Sequence, residues 1–143
     1  MPSISVIIPV LNESGTILRC LEQFHGVPDT EVVVVDGGST DGTQDLVADT
    51  GLTALVRSDR PGRAFQMNEG ARESKGEILL FLHADTELPE GGLEMISSAL
   101  EDPAVSGGRF RLGLDEEGWQ YRLISKASTW RSSLLGITYG DQA

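Results

Sequence analysis

The sequence predicts an open α/β sheet, mostly parallel, with helices on both faces, and three observations carry that prediction. Short β-branched runs alternate with amphipathic segments in the pattern β-α-β-α-β-α-β. Val32–Val35 and Ile78–Leu82 are apolar at every position, as in strands covered on both sides. Polar residues collect at the carboxyl end of each run, where such sheets bind their ligands.

The elements follow in chain order. Ile4–Val10 (ISVIIPV) is a β-branched strand. Ser14–Phe24 carries Ile17, Cys20, Leu21 and Phe24 at helical spacing, with Ser14 as the expected N-cap. Glu31–Asp36 is a second, buried strand, and Thr43–Thr50 a helix closed by a C′ glycine at Gly51. Leu52–Arg57 is a weaker strand. Gly62–Ser74 reads as a helix with Ala64, Met67 and Ala71 facing inward. Glu77–Leu82 is the fourth strand. Pro89 opens a helix bearing Leu93, Ile96, Ala99 and Leu100. Val105–Leu114 alternates like an exposed strand, and Trp119–Leu135 is expected to be helical, with Trp119 and Trp130 in its core.

The 143 residues amount to one domain, residues 1–143, with no repeat and no linker. Twenty-two acids against 11 Lys and Arg give a net charge of −11, which argues against nucleic acid and anionic lipid as partners. A phosphorylated ligand would have to be held by local arginines, backbone N–H groups or a cation. Cys20, the single cysteine, makes no disulfide and fits a buried structural thiol. The N-terminus lacks the pattern of a signal peptide, and no apolar run approaches the ~20 residues that span a bilayer. The chain is therefore read as cytoplasmic, peripheral to a membrane at most. Its oligomeric state is open, and a homo-oligomer is compatible with it.

The first βα turn, Val10-Leu11-Asn12-Glu13-Ser14, has no glycine fingerprint, which sets dinucleotide binding aside, and no P-loop motif is present. The turn after the second strand contains Gly37-Gly38, which satisfies a need for positive φ, but that need leaves the flanking acids Asp36 and Asp41 unaccounted for. Asp85 follows an apolar strand; it suits a hard divalent cation bridging to phosphates, or it caps the turn before Pro89. His83 is open between ligand, ribose partner and turn residue. Arg57, Arg60 and Arg63 cluster in an acidic chain, and Arg63 lies in a first helical turn, where free N–H groups favour an anion such as a diphosphate. His25 reads as surface.

SVIIPVLNE, VVVVDGGSTDGT and LLFLHADTELP, in this order, resemble the P-x-x-N-E strand end, the D-x-S-x-D-G-T turn and the D-x-D-like element of the family 2 glycosyltransferases, which have the GT-A, nucleotide-diphospho-sugar transferase-like fold. The resemblance spans essentially the whole chain. GRAFQMNEGA resembles the family's G-x-x-x-A-R-N-x-G helix: Gly62, Asn68 and Gly70 match, Gln66-Met67 stands where Ala-Arg is usual, and Arg63 is the candidate to replace the arginine. His83 occupies the first aspartate position of D-x-D, an H-A-D variant similar to a bacterial subgroup.

The resemblance implies an inverting transfer of a sugar from a nucleotide-diphosphate sugar to an acceptor hydroxyl that the sequence does not name. It implies that Pro9, Asn12, Glu13, Asp36, Ser39 and Asp41 surround the nucleoside, that Gly62, Arg63, Asn68, His83 and Asp85 complete the donor site, and that Asp85 holds Mg²⁺ or Mn²⁺. Gly140-Asp141-Gln142 falls where the family carries its base, which makes Asp141 the candidate. Family domains continue past that point, so the acceptor side is expected to be incomplete, truncated at the C-terminus. Two other classes compete: a sugar-phosphate nucleotidyltransferase, which would want a basic, glycine-rich first turn, and a nucleotide-sugar-binding module without transferase activity.

Overall fold

The structure is a computed structural model that describes residues 2–60 and 62–110. The chain divides into a compact unit, Met1–Val105, and a second unit beginning at Ser106.

Four strands, β1 (Ile4–Val10), β2 (Thr30–Asp36), β3 (Ala54–Arg57) and β4 (Ile78–Phe81), form one sheet in the order β3-β2-β1-β4. All pairings are parallel, with Val10 opposite Asp36, Asp36 opposite Arg57 and Ile7 opposite Phe81. The helices are α1 (Ile17–Glu22), α2 (Thr43–Thr50), α3 (Arg63–Glu73) and α4 (Gly92–Ala99). The chain steps outward from β1 to β2 to β3, then returns across the sheet through α3 to β4. Right-handed crossovers running in opposite directions put their helices on opposite faces. Accordingly α3 covers the face carrying Ile7, Val33 and Val35, and the strand neighbours Val6, Ile8, Val10, Val32 and Val34 are buried on the other. The reversal of direction puts the topological switch point between β1 and β4, where this architecture opens its ligand crevice.

β1 and α2 have the expected boundaries, and Gly51 takes the left-handed C-cap at φ 62°. Other elements differ in instructive ways. α1 begins at Ile17, not Ser14, because Glu13 O accepts the N–H groups of Thr16 and Ile17, so residues 14–16 form a turn and Ser14 caps nothing. In α3 Ala71 packs against the sheet core as expected, but the fully buried residues are Gln66 and Gly70, while Ala64 is exposed and Met67 half-buried. A Cβ on Gly70 would lie 2.4 Å from Ile7 Cγ2 and 3.0 Å from Val35 Cγ2, so the helix comes to the sheet where it has no side chain. α4 starts beyond Pro89, with Gly91 before its first turn. β4 is an edge of the described sheet, and Leu79 is 40% exposed, so its continuous apolar run marks burial on both faces less faithfully than that of β2. Residues 105–110 are not a strand, which corrects the expectation for Val105–Leu114 over that stretch. Alternation selects a face only when a ladder partner is in place. The rest of that segment, Trp119–Leu135 and Asp141 lie outside the described residues.

Candidate functional site

The carboxyl ends of β1 and β2 are joined by two turns that hold each other. After β1, Asn12 takes φ 59°, a left-handed conformation that asparagine tolerates better than most residues. Its backbone N–H donates to Ser39 Oγ at 2.9 Å, and its Oδ1 accepts the Thr40 N–H at 2.9 Å. The Glu13 N–H donates to Thr43 Oγ1 at 2.9 Å, and the Ser14 N–H to Asp41 Oδ2 at 3.0 Å. Asp41 Oδ1 accepts from both the backbone and the hydroxyl of Thr43. These donors, the Thr43 side chain foremost and then Ser14, hold the exposed Asp41 carboxyl well below the usual carboxylate range. The first turn therefore sits on the second through bonds between residues 27 to 30 apart in sequence.

Asp36 differs from the expectation of a carboxylate open to the cleft. It is 1% exposed, and Oδ2 accepts the Gly38 N–H at 2.8 Å, the Ser39 N–H at 3.0 Å and Gln44 Nε2 at 2.6 Å. Burial alone would raise its pKa. Bonds from Ser39, Gly38 and Gln44 outweigh burial and lower it. Its backbone reaches sideways as well, since Asp36 O accepts the Ser58 N–H at 2.8 Å and so ties the end of β2 to the loop after β3. The acid builds the turn that follows β2. Ser39 is half-buried, its hydroxyl oxygen accepting the Asn12 N–H while its side chain also bonds the Asp36 carboxylate; Glu13, also half-buried, accepts Thr16 Oγ1 at 2.7 Å. Pro9 is buried in β1 opposite Val35.

The glycine pair in this turn has two separate reasons. Gly38 has φ 103°, which needs glycine. Gly37 does not have positive φ; a Cβ there would lie 3.1 Å from the Gln66 amide, so it is glycine for room. Gln66 is 4% exposed, and its Nε2 donates at 2.8 Å to both Val10 O and Val35 O. The sequence reading missed it, as it missed Gln44 and Gln23. A polar residue at a helix position facing a strongly apolar sheet is the signal that could have found Gln66.

On the other side of the switch point, Asp85 is exposed in the turn after β4, with Thr86 Oγ1 at 3.3 Å from its Oδ1. α1 fixes that turn. Gln23 Nε2 donates to Thr86 O at 3.1 Å, its Oε1 accepts the Leu88 N–H at 2.8 Å, and Arg19 pairs with Glu87. Cys20 lies beneath, its Sγ 3.7 Å from His83 O, and burial, then the charges of Asp85 and Glu87, push the thiol up to about 12. That is the structural thiol the sequence suggested. Among the described residues no three His, Cys, Asp or Glu groups cluster to hold a metal by themselves. The donor set at Asp85 is one exposed carboxylate, and this fits a hard cation that takes few protein ligands and completes its shell with phosphate and water.

Gly62 precedes α3 with φ 130°, and Arg63 and Asn68 are exposed on α3. Arg57 stands opposite Asp36 in register and is exposed, whereas the Arg60 guanidinium lies 5.6 Å from the Phe65 ring centre. The structure thus brings Asn12, Glu13, Asp36, Ser39 and Asp41 into one network and sets Asp85 across the switch point in a separately braced turn. Asp141 lies outside the described residues.

The family model for glycosyl transferase family 2 matches residues 5–140, and the chain belongs to that family. Glycosyltransferase AglE of Haloferax volcanii is 35% identical over 114 residues, 73% of this chain and 38% of that protein. A mannosyltransferase from Pyrobaculum calidifontis, solved in complex with GDP-Man and Mn²⁺, is 35% identical with a TM-score of 0.66 over 73% of this chain and 34% of its own. S. aureus TarS shares the fold, with a TM-score of 0.70 over 81% of this chain and 23% of its own at 22% identity. The open parallel sheet is the one these GT-A transferases share. The chain spans about two fifths of the length of AglE. No helix among the described residues is long and apolar enough to cross a membrane.

Proposed function

We propose that this chain is the donor-binding part of an inverting glycosyltransferase that takes its sugar from a nucleoside-diphosphate sugar. The observation that carries the reading is the clasp of the first two βα turns beside the switch point, in a chain of this family, with a lone carboxylate braced on the far side. In this reading Pro9, Asn12, Glu13 and the Asp36–Asp41 turn form the nucleoside wall, and Gly62, Arg63, Asn68 and His83 line the rest of the donor cleft. The H-A-D element is this chain's form of D-x-D, and Asp85 is the residue that would hold Mg²⁺ or Mn²⁺; when bound, the cation would neutralise charge developing on the leaving group.

Arg63, at the first residue of α3, adds a positive charge at the end of the helix whose dipole favours the same anion. The acceptor oxygen forms a bond to the anomeric carbon as the bond from that carbon to the diphosphate oxygen breaks, and the hydroxyl proton passes to a carboxylate, for which Asp141 is the candidate. The donor-side role is assigned to the unit Met1–Val105, and the protein is placed in the cytoplasm. The P. calidifontis relative with GDP-Man and Mn²⁺ supports the donor class and the metal.

Calorimetric titration with UDP and GDP, with and without Mn²⁺, tests the reading. Wild type should bind one of them in a Mn²⁺-dependent manner, and Asp85→Ala should lose that dependence while keeping its circular dichroism spectrum. Equal, metal-independent affinity in both proteins would refute the assignment of Asp85.

A further inference from the structure

Gln66 sits where a side chain has no business being polar unless it is bonded. It is 4% exposed, on the α3 face turned to the β1–β2 seam. One amide nitrogen spans that seam, donating to Val10 O and Val35 O at 2.8 Å each. Val10 O also accepts the Gly37 N–H at 3.0 Å, so Gln66 is bonded into the last link of the β1–β2 ladder, one residue before the two turns diverge. The same amide fills the space a Gly37 side chain would need, at 3.1 Å for both Cδ and Nε2. Beyond this plug lie the bonds by which Asn12 holds Ser39 and Thr40.

We propose that Gln66 is a positioning residue for the nucleoside wall: through Val10 O, Val35 O and its contact with Gly37 it sets the angle at which the Asn12 turn and the Gly37–Ser39 turn meet. The inference rests on the donor-binding reading above. A glutamine that merely stabilised the core would act on stability alone. One that sets the turns acts on nucleotide affinity and on the backbone environment of residues 37–39 in protein that is fully folded.

The test uses the full chain as wild type, Gln66→Leu, Gln66→Ala, Gly37→Ala and the double variant Gln66→Ala/Gly37→Ala. Two readouts are taken well below each melting temperature: the Kd for UDP and GDP with Mn²⁺, and the ¹H–¹⁵N shifts of Gly37, Gly38 and Ser39 without nucleotide. Gln66→Leu and Gln66→Ala should each weaken binding at least tenfold and move the three amide shifts. Gly37→Ala should do the same, because its methyl displaces the amide. In the Gln66→Ala background it should add no further loss. Should a Gln66 variant fail to fold, Gly37→Ala retains every native side chain and carries the same expectation. Variants that melt lower yet bind within twofold of wild type with unmoved shifts would overturn the proposal. A wild type that binds neither nucleotide would overturn the reading beneath it, a different result from wild-type binding with indifferent variants.

Discussion

Replacing Asp36 separates a turn-building acid from a ligand-contacting one. In Asp36→Ala the Gly38 and Ser39 N–H groups and the Gln44 amide lose a common acceptor at 2.6 to 3.0 Å. Hydrogen bonds to charged groups contribute about 1.5–3 kcal/mol each, and donors left buried without a partner cost a similar amount. The three are not all stranded. Gly38 is exposed and can turn to water, whereas Ser39 and Gln44 are half-buried. A loss of about 2–4 kcal/mol follows once the exposed donor is discounted. Asp36→Asn keeps one oxygen on that site and loses the charge, and should cost nearer 1 kcal/mol. Urea unfolding at pH 7, followed by circular dichroism with fitted slopes, measures both. Nucleotide affinity should fall by roughly ten- to a hundredfold in the alanine variant, at ~1.4 kcal/mol per decade, because the turn proposed as nucleoside wall loosens. Alanine and asparagine variants of equal stability, or an alanine variant within about 0.5 kcal/mol of wild type, would refute the hydrogen-bond accounting.

Gly70→Ala should destabilise by about 1–3 kcal/mol, seen as a fall in melting temperature, because a methyl 2.4 Å from Ile7 Cγ2 forces α3 off the sheet; an unchanged melting temperature would show that the helix slides freely. Glu31, Asp36 and Asp41 have carboxyls below their ordinary values, Glu31 through the Ser5 hydroxyl first, so their contribution is fully present above the ordinary range near pH 4 and is lost progressively as pH falls from there through the lowered folded values. Unfolding free energy should accordingly be level at pH 5–7 and decline below about pH 4, with a shallower decline in Asp36→Asn; parallel curves would contradict the role of Asp36. Cys20, with its thiol pushed up to about 12 and its side chain buried, should resist a thiol-specific disulfide reagent at pH 8 in the native protein and react fully in urea, and rapid native labelling would show that α1 leaves the sheet.

What the sequence determined by itself is what depends on local or periodic constraints. The run ISVIIPV read as a β-branched strand and VVVV as a strand covered on both faces, and Gly51 had to follow α2 because a left-handed cap at φ 62° excludes most side chains. The alternation of strands and helices then put Asn12, Asp36 and Asp85 at one end of the sheet, since parallel connections return every strand in the same direction. The family was legible too, because its motifs are the turn residues that this end of the sheet requires.

Only the tertiary structure decided what those residues bond to. Asn12 reaches Thr40, and Ser14 reaches Asp41, across 27 to 28 positions that no local pattern links. Of the apolar residues at helical spacing in α3 only Ala71 packs against the sheet core; in place of Ala64 and Met67 the helix buries a glutamine and a glycine there. Gly70 lets the backbone approach Ile7, and Gln66 finds two strand carbonyls that already lie side by side. A polar group becomes a core residue only when its partners arrive from other elements, and hydrophobic periodicity, which counts apolar side chains along one element, does not register that arrival.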